Sequence, residues 1–332
     1  MQMTQLIDRM TTPTPAVREA VAMLDGDVLI LGVGGKMGPT LAELLVRAGA
    51  RRVIGVSRFG DPELRGYLDR IGVETLQADL LNADALKSLP NAKYIYFMAG
   101  FKFGASGNPS VTWAMNTYLP GMVVQRYETS HIVYVSSGNV YAFTPIGTGG
   151  ADESGETAPA GEYAQSRLGG ERIAEYFAGI RKTPLAIVRL FYATELRYGI
   201  LHDLAWKVFR EEPINLEMGY FNQIWQGDAN AYLARFFPLC GCPPVVLNMT
   251  GPETLSVRTV AEAFGARFGK HPVFVGIEKD TALLGNTKAL IDRLGPTEVS
   301  IERMIDWMTE WVLDGGPSLG KPTKFESRTG KF

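Results

Sequence analysis

Tyr163 and Arg167 stand four residues apart in Gly161-Glu-Tyr-Ala-Gln-Ser-Arg167, inside a stretch that predicts a helix over about 161–180. Positions i and i+4 of a helix share a face, so the phenol and the guanidinium lie side by side. A tyrosine hydroxyl is a poor base at its ordinary pKa of about 10, and a neighbouring positive charge stabilises the phenolate. Such a phenolate takes a proton from a substrate hydroxyl while hydride leaves for a nicotinamide. Ser136-Ser137 closes the run His131–Val135.

A second group of residues predicts the dinucleotide. Gly32-Val33-Gly34-Gly35-Lys36-Met37-Gly38 follows an apolar run, Asp27–Leu31, and precedes helically spaced Leu41, Leu44, Leu45 and Ala48. In that context Gly32 permits a tight turn, Gly35 lets the backbone approach a pyrophosphate, and Gly38 lets the helix pack closely on the strand. The N–H groups of Lys36, Met37 and their neighbours at the helix start then face the phosphates. The next strand, Arg52–Val56, ends in Ser57-Arg58 instead of the acidic residue that suits the ribose 2′-hydroxyl of NAD. A guanidinium grips a 2′-phosphate with paired hydrogen bonds, and Lys36 adds a second charge. The expected cofactor is NADP, with NAD as the other possibility.

The elements that position these residues alternate. Strands are expected at 27–31, 52–56, 73–77, 94–98, 131–135 and 185–190, with helices between them at about 112–128 and 161–180. Alternation predicts an α/β fold, a doubly wound parallel sheet of Rossmann type, and loops 101–110 and 142–161 fall at strand ends where ligands bind. The chain divides into an N-terminal arm and helix (1–26), a Rossmann domain (27–190 plus about 222–250), a smaller substrate-binding lobe (191–221 and 251–314), and a tail (315–332) with little to bury. Residues 1–13 read as a loose arm.

Composition narrows the function. The 332 residues carry a net charge of -2, too little positive charge for nucleic acid or an anionic membrane to be a main partner. No apolar run reaches the length of a membrane span, and the first ten residues do not read as a secretion signal, so a cytoplasmic protein is expected. Cys240 and Cys242 with three scattered histidines do not make a metal site.

Taken in order, these motifs resemble the extended short-chain dehydrogenase/reductase superfamily, the NAD(P)-dependent epimerase/dehydratase family, from about residue 27 to 313. Gly32, Gly35 and Gly38 are similar to its GxxGxxG loop. The resemblance implies that Asp79-Leu80 contacts adenine, that Ala99-Gly100 lines the cofactor, and that Asn116 is the family's helix asparagine. Ser136-Ser137-Gly138-Asn139-Val140-Tyr141 resembles its SSxxVY motif, and Tyr163–Arg167 its YxxxK motif. It implies Ser137, Tyr163 and Arg167 as the catalytic set, with Tyr163 and Arg167 also at the cofactor, a sugar or sugar acid as substrate, and a homodimer formed by the helices at 112–128 and 161–180.

Three positions depart from the family. Arg167 stands where it has lysine, which carries over the charge but not a lysine's proton relay. Gly138-Asn139 stands where the dehydratases have an Asp-Glu pair, which disfavours sugar dehydration. Phe221-Asn-Gln-Ile-Trp225 lacks the arginine that many nucleotide-sugar enzymes direct at the diphosphate. The expected function is an NADP-dependent oxidoreductase or epimerase of carbohydrate metabolism. The alternative is a catalytically silent NAD(P)-binding or sensor protein, which Arg167 favours.

Overall fold

A computed structural model describes residues 1–102, 104–321 and 323–330. Residue 103 of the expected 101–110 loop and residues 322, 331 and 332 of the expected tail lie outside the described residues.

Seven parallel strands form one sheet: β1 (Val28–Leu31), β2 (Val53–Ser57), β3 (Glu74–Gln77), β4 (Tyr94–Phe97), β5 (His131–Ser137), β6 (Leu185–Leu190) and β7 (Val245–Met249). Their spatial order is β7-β6-β5-β4-β1-β2-β3. The central strands are apolar on both sides because helices cover both faces, the usual condition of an all-parallel sheet. The order reverses between β1 and β4, which opens a crevice at their carboxyl ends. There a Cβ on Gly32 would lie 2.6 Å from the Ala99 nitrogen, so only glycine lets the two strand ends approach this closely.

On one face runs a continuous helix made of Pro109–Trp113, a π-helical turn Ala114–Tyr118 and Leu119–Arg126. It packs beside the helix Gly161–Arg181. Gly121 makes that contact possible, since a Cβ there would lie 2.6 Å from Ile173 Cγ2. Leu119, Val123 and Ala174 of these helices are core residues of their own chain facing the sheet.

The lobe is built from helices Ile200–Phe209, Val257–Phe268 and Ile301–Leu313 around Leu204, Phe264, Met308 and Trp311. The first residues are not a loose arm. Met3–Thr11 is a helix whose Leu6 and Met10 insert into the lobe's core. Residues 222–250 return to the sheet only through β7, because Gln223–Trp225 pairs instead with Tyr192–Thr194 in a separate two-stranded ribbon. The segment from 315 also departs from expectation: Thr323 and Phe325 are buried, and Phe325 belongs to the lobe's core. Among the described residues no helix is long and apolar enough to cross a membrane, and no cluster of three potential metal ligands occurs.

Candidate active site

The glycine loop joins β1 to the helix Gly38–Arg47 at the crevice. A Cβ on Gly38 would overlap the Val33 carbonyl, and one on Gly34 would overlap Ser57 Oγ, so Ser57 faces the loop from the end of β2. Gly34 and Gly35 are exposed, which leaves their backbone open to a ligand. Arg58 is also exposed, and the Gln77 side-chain amide donates to its carbonyl at 2.9 Å. Asp79 accepts from the Leu81 nitrogen at 3.0 Å and shapes the turn after β3, with Leu80 buried beside it. These residues fit a dinucleotide: an open glycine cradle, a helix N-terminus and an exposed guanidinium at the second strand end.

Lys36 reaches toward residues 193–198. Its ammonium donates to the Ala193 carbonyl and lies 4.3 Å over the Tyr198 ring, on the lobe side of the crevice. Burial holds the amine down to about 7, against the pull of Glu195 and with the push of Lys102 and Arg197. The Lys36 side chain is thus directed toward the segment that carries Ala193 and Tyr198.

Asn116 sits in the π-helical turn, fully buried. Its amide oxygen accepts from the Phe101 nitrogen at 2.8 Å, and its amide nitrogen donates to the Phe101 carbonyl at 2.9 Å and to Ser166 Oγ at 3.0 Å. It thereby ties the loop after β4, with Ala99 and Gly100, to the helix that carries Tyr163. Tyr163 lies in the first turn of Gly161–Arg181, half-buried. Arg167, one turn on, is buried. It donates to the Val135 carbonyl, stacks 5.0 Å over the Tyr134 ring and touches Gly100, where a Cβ would lie 2.9 Å from its Nη1. Its Nε is buried with no hydrogen-bond partner.

Ser137 ends β5 and is bonded to Asn139, donating to Oδ1 at 3.0 Å and accepting from the backbone nitrogen at 3.2 Å. Ser136 serves a different purpose. Its hydroxyl donates to Glu171 at 2.5 Å, and Glu171 holds Arg189 through Nε at 3.1 Å and Nη2 at 2.8 Å. Arg189 donates to the Tyr141 hydroxyl at 2.7 Å, which donates to Asn248 at 2.8 Å. This buried chain fastens β5, the Tyr163 helix, β6 and β7 beneath the site. Sequence reasoning passed over Glu171, because a carboxylate on a long helix usually faces solvent.

Lys102 was missed as well. It lies 5.7 Å over the Tyr163 ring and 5.6 Å over Tyr192, and burial pushes its amine down to about 8 against the pull of Asp203. Its position two residues beyond Ala99-Gly100, in a loop at a strand end, was the available signal. Lys102, from the loop after β4, thus faces Tyr163, and Arg167 lies one helical turn beyond it.

The comparisons accord with this geometry. The family profile described as NAD dependent epimerase/dehydratase family matches residues 28–194. No curated protein sequence matches the chain. A UDP-glucuronic acid 4-epimerase from Bacillus cereus, in complex with NAD, superposes with a TM-score of 0.72 at 16% identity, covering 87% of this chain and 98% of that one. Epimerase Mth375 from Methanothermobacter thermautotrophicus superposes with a TM-score of 0.72 at 17% identity, covering 91% and 96%. MoeE5 in complex with UDP-glucose and NAD gives 0.69 at 19% identity, covering 87% and 99%. At these identities the structures establish a shared fold, and the profile match over the sheet, the glycine loop and the tyrosine helix establishes the rest: the chain is an NAD(P)-dependent enzyme of the NAD dependent epimerase/dehydratase family.

Proposed function

We propose that this enzyme is an NADP-dependent oxidoreductase or epimerase that acts on a hydroxyl or keto group of a sugar or sugar acid. The observation that carries the reading is Tyr163 on the crevice with Lys102 over its ring and Arg167 one turn beyond it. NADP over NAD is supported by the exposed Arg58 and by Ser57 in place of a carboxylate. A carbohydrate substrate is supported by the name of one structural neighbour, a UDP-glucuronic acid 4-epimerase, and by the UDP-glucose bound to another, MoeE5.

Gly32, Gly35, Gly38 and the helix start at Gly38 would hold the dinucleotide, which would supply the hydride acceptor when bound. Tyr163 takes the proton of the substrate hydroxyl, and the two nearby cations offset the charge on its oxygen. Ser137 turns its hydroxyl from Asn139 to the same substrate oxygen. Arg167, fastened to Val135 and Tyr134, holds its charge at a fixed depth beside Gly100. In the reverse direction Tyr163 returns the proton to the reduced carbonyl oxygen. Return of the hydride to the opposite face of the same carbon, with the Tyr163 proton going to its oxygen, would give epimerisation.

The test is cofactor-linked turnover across free sugars, uronic acids and nucleotide sugars, in wild type and Tyr163→Phe. The variant should lose about 10²–10⁴-fold in rate with cofactor affinity nearly unchanged. Wild-type turnover by Tyr163→Phe on the true substrate ends the catalytic reading. One observation favours the silent NAD(P)-binding alternative: the Arg167 guanidinium is committed to Val135 and Tyr134. Hydride transfer to or from any sugar removes that alternative.

A further inference from the structure

We propose that segment 323–330 is a specificity-determining strap, which walls the substrate cleft and holds the enzyme to substrates without a nucleotide carrier. The inference rests on the sugar-directed activity proposed above and narrows its substrate class.

The strap crosses from lobe to Rossmann domain and is fastened along its length. Thr323, fully buried, donates to Asp203 Oδ2 through its nitrogen at 2.8 Å and its hydroxyl at 2.6 Å. Phe325, 2% exposed, packs against Phe221 with ring centroids 6.1 Å apart. Glu326 pairs with Lys207 at 2.6 Å. Arg328 donates to the Thr281 carbonyl at 2.8 Å, to Thr281 Oγ1 at 2.7 Å and to the Glu217 carbonyl at 3.2 Å, and its guanidinium lies 4.2 Å over the Phe143 ring. Gly330 lies against Ala160 and Gly161, at the start of the Tyr163 helix. A Cβ on Gly161 would fall 2.5 Å from the Gly330 carbonyl oxygen, so only glycine allows this approach.

A separate space lies on each side of the strap. On its inner side Asn139, Tyr141 and Tyr192, with Phe325 and Ser327 of the strap, enclose only about 30 Å³. Asn139 is the partner of Ser137, so this is the catalytic side. On its outer side a cavity of about 830 Å³ runs along Ile200–Phe209 and residues 212–217, bounded by Trp206, Arg210, Asn215, Ser327 and Arg328. The outer cavity has the volume of a nucleotide site, but Ser327 forms a wall of both spaces and stands between them. A sugar attached to a nucleoside diphosphate needs one continuous cleft with its reacting carbon at Tyr163, and the strap interrupts that cleft.

The segment facing the strap agrees. Phe221 is covered by Phe325, Asn222 accepts from the Gly285 nitrogen at 2.8 Å, and Gln223 accepts from Thr194 Oγ1 at 2.6 Å. Phe221–Trp225 is thus turned inward and presents no cation to a diphosphate. Blocking a wrong ligand with a fixed obstacle is an economical way to obtain specificity, because it needs no added contact to the right one.

The test is calorimetric titration of UDP and of UDP-glucose into the full chain with NADP bound, for wild type, Phe325→Ala/Arg328→Ala and Arg328→Ala alone. Retained NADP affinity checks folding, and the half-exposed Arg328 keeps the test available should the double variant unfold. The affinity for UDP-glucose relative to UDP should rise at least about tenfold in the loosened variants over wild type, because only the attached sugar has to pass the strap. A smaller rise overturns the proposal, as does the case in which neither ligand binds any of the proteins. The titration needs no turnover. Inactivity on every sugar would therefore count against the proposed activity and leave this result standing.

Discussion

The Arg167 guanidinium stacks 5.0 Å over the Tyr134 ring, one strand beneath the helix face that carries Tyr163. This contact, with the bond to the Val135 carbonyl, fixes a charge where a flexible lysine would move. Arg167→Lys keeps the charge and loses the planar stack. If Arg167 serves only as a fixed cation at the cofactor, activity survives or rises and the pH–rate profile shifts modestly. A raised KM with kcat nearly unchanged would instead assign Arg167 to a substrate carboxylate.

Arg58 and cofactor choice form the second prediction. Arg58→Ala should weaken NADP binding by about 1.5–3 kcal/mol, the worth of a charged hydrogen bond, with little change for NAD. Titration of both dinucleotides against wild type and variant measures this. NAD binding as tight as NADP in the wild type removes the preference argued from Ser57-Arg58.

Lys36 makes cofactor binding depend on pH. In the free protein its amine is held down to about 7 from the ordinary 10.5 by burial, so above pH 7 it is largely neutral. A pyrophosphate at the glycine loop favours the ammonium, so binding then takes up a proton and affinity falls as pH rises above 7, by up to about tenfold per unit. Below pH 7 this contribution is flat. Lys36→Met should weaken binding near pH 6 and abolish the slope. A slope unchanged in the variant would place Lys36 out of contact with the cofactor.

The Glu171–Arg189 pair is fully buried, and Glu171 also receives Ser136. Glu171→Ala leaves a buried guanidinium without its counter-ion, which costs about 3–5 kcal/mol. Denaturant unfolding should show a loss of that order. Glu171→Gln, which keeps an acceptor for Ser136, should lose less. An unchanged midpoint in Glu171→Ala would mean that water replaces the carboxylate.

The paired helices carry an apolar face of their own. Tyr118 (63% exposed), Tyr176 (62%) and Ile180 (57%) lie outward from the sheet, with Trp113 and Ile173 partly exposed nearby. Light scattering at micromolar concentration should give twice the 36.3 kDa chain mass, and Tyr176→Asp/Ile180→Asp should shift it to one chain. A wild-type monomer contradicts the dimer.

Much of this protein was legible from local spacing. A glycine loop between a buried strand and an amphipathic helix has few alternative uses, and the i, i+4 spacing puts Tyr163 and Arg167 on one face whatever surrounds them. The sheet strands follow from the same cause, since apolar runs separated by helical periods have to be buried on both sides. Tertiary structure alone decided the partners that lie far apart in sequence. Lys36 could have faced Arg58 or the lobe, and the packing of Ala193 and Tyr198 against the glycine loop turned it to the lobe. Glu171 looks solvent-facing until Arg189 arrives on β6 to pair with it. The polar strap has no periodic signal, because its position comes from Asp203, Phe221 and Thr281, anchors on separate elements that only the folded chain brings together. Local spacing sets which residues share a face, whereas the surface each face meets depends on contacts between separate elements that leave no pattern in the chain.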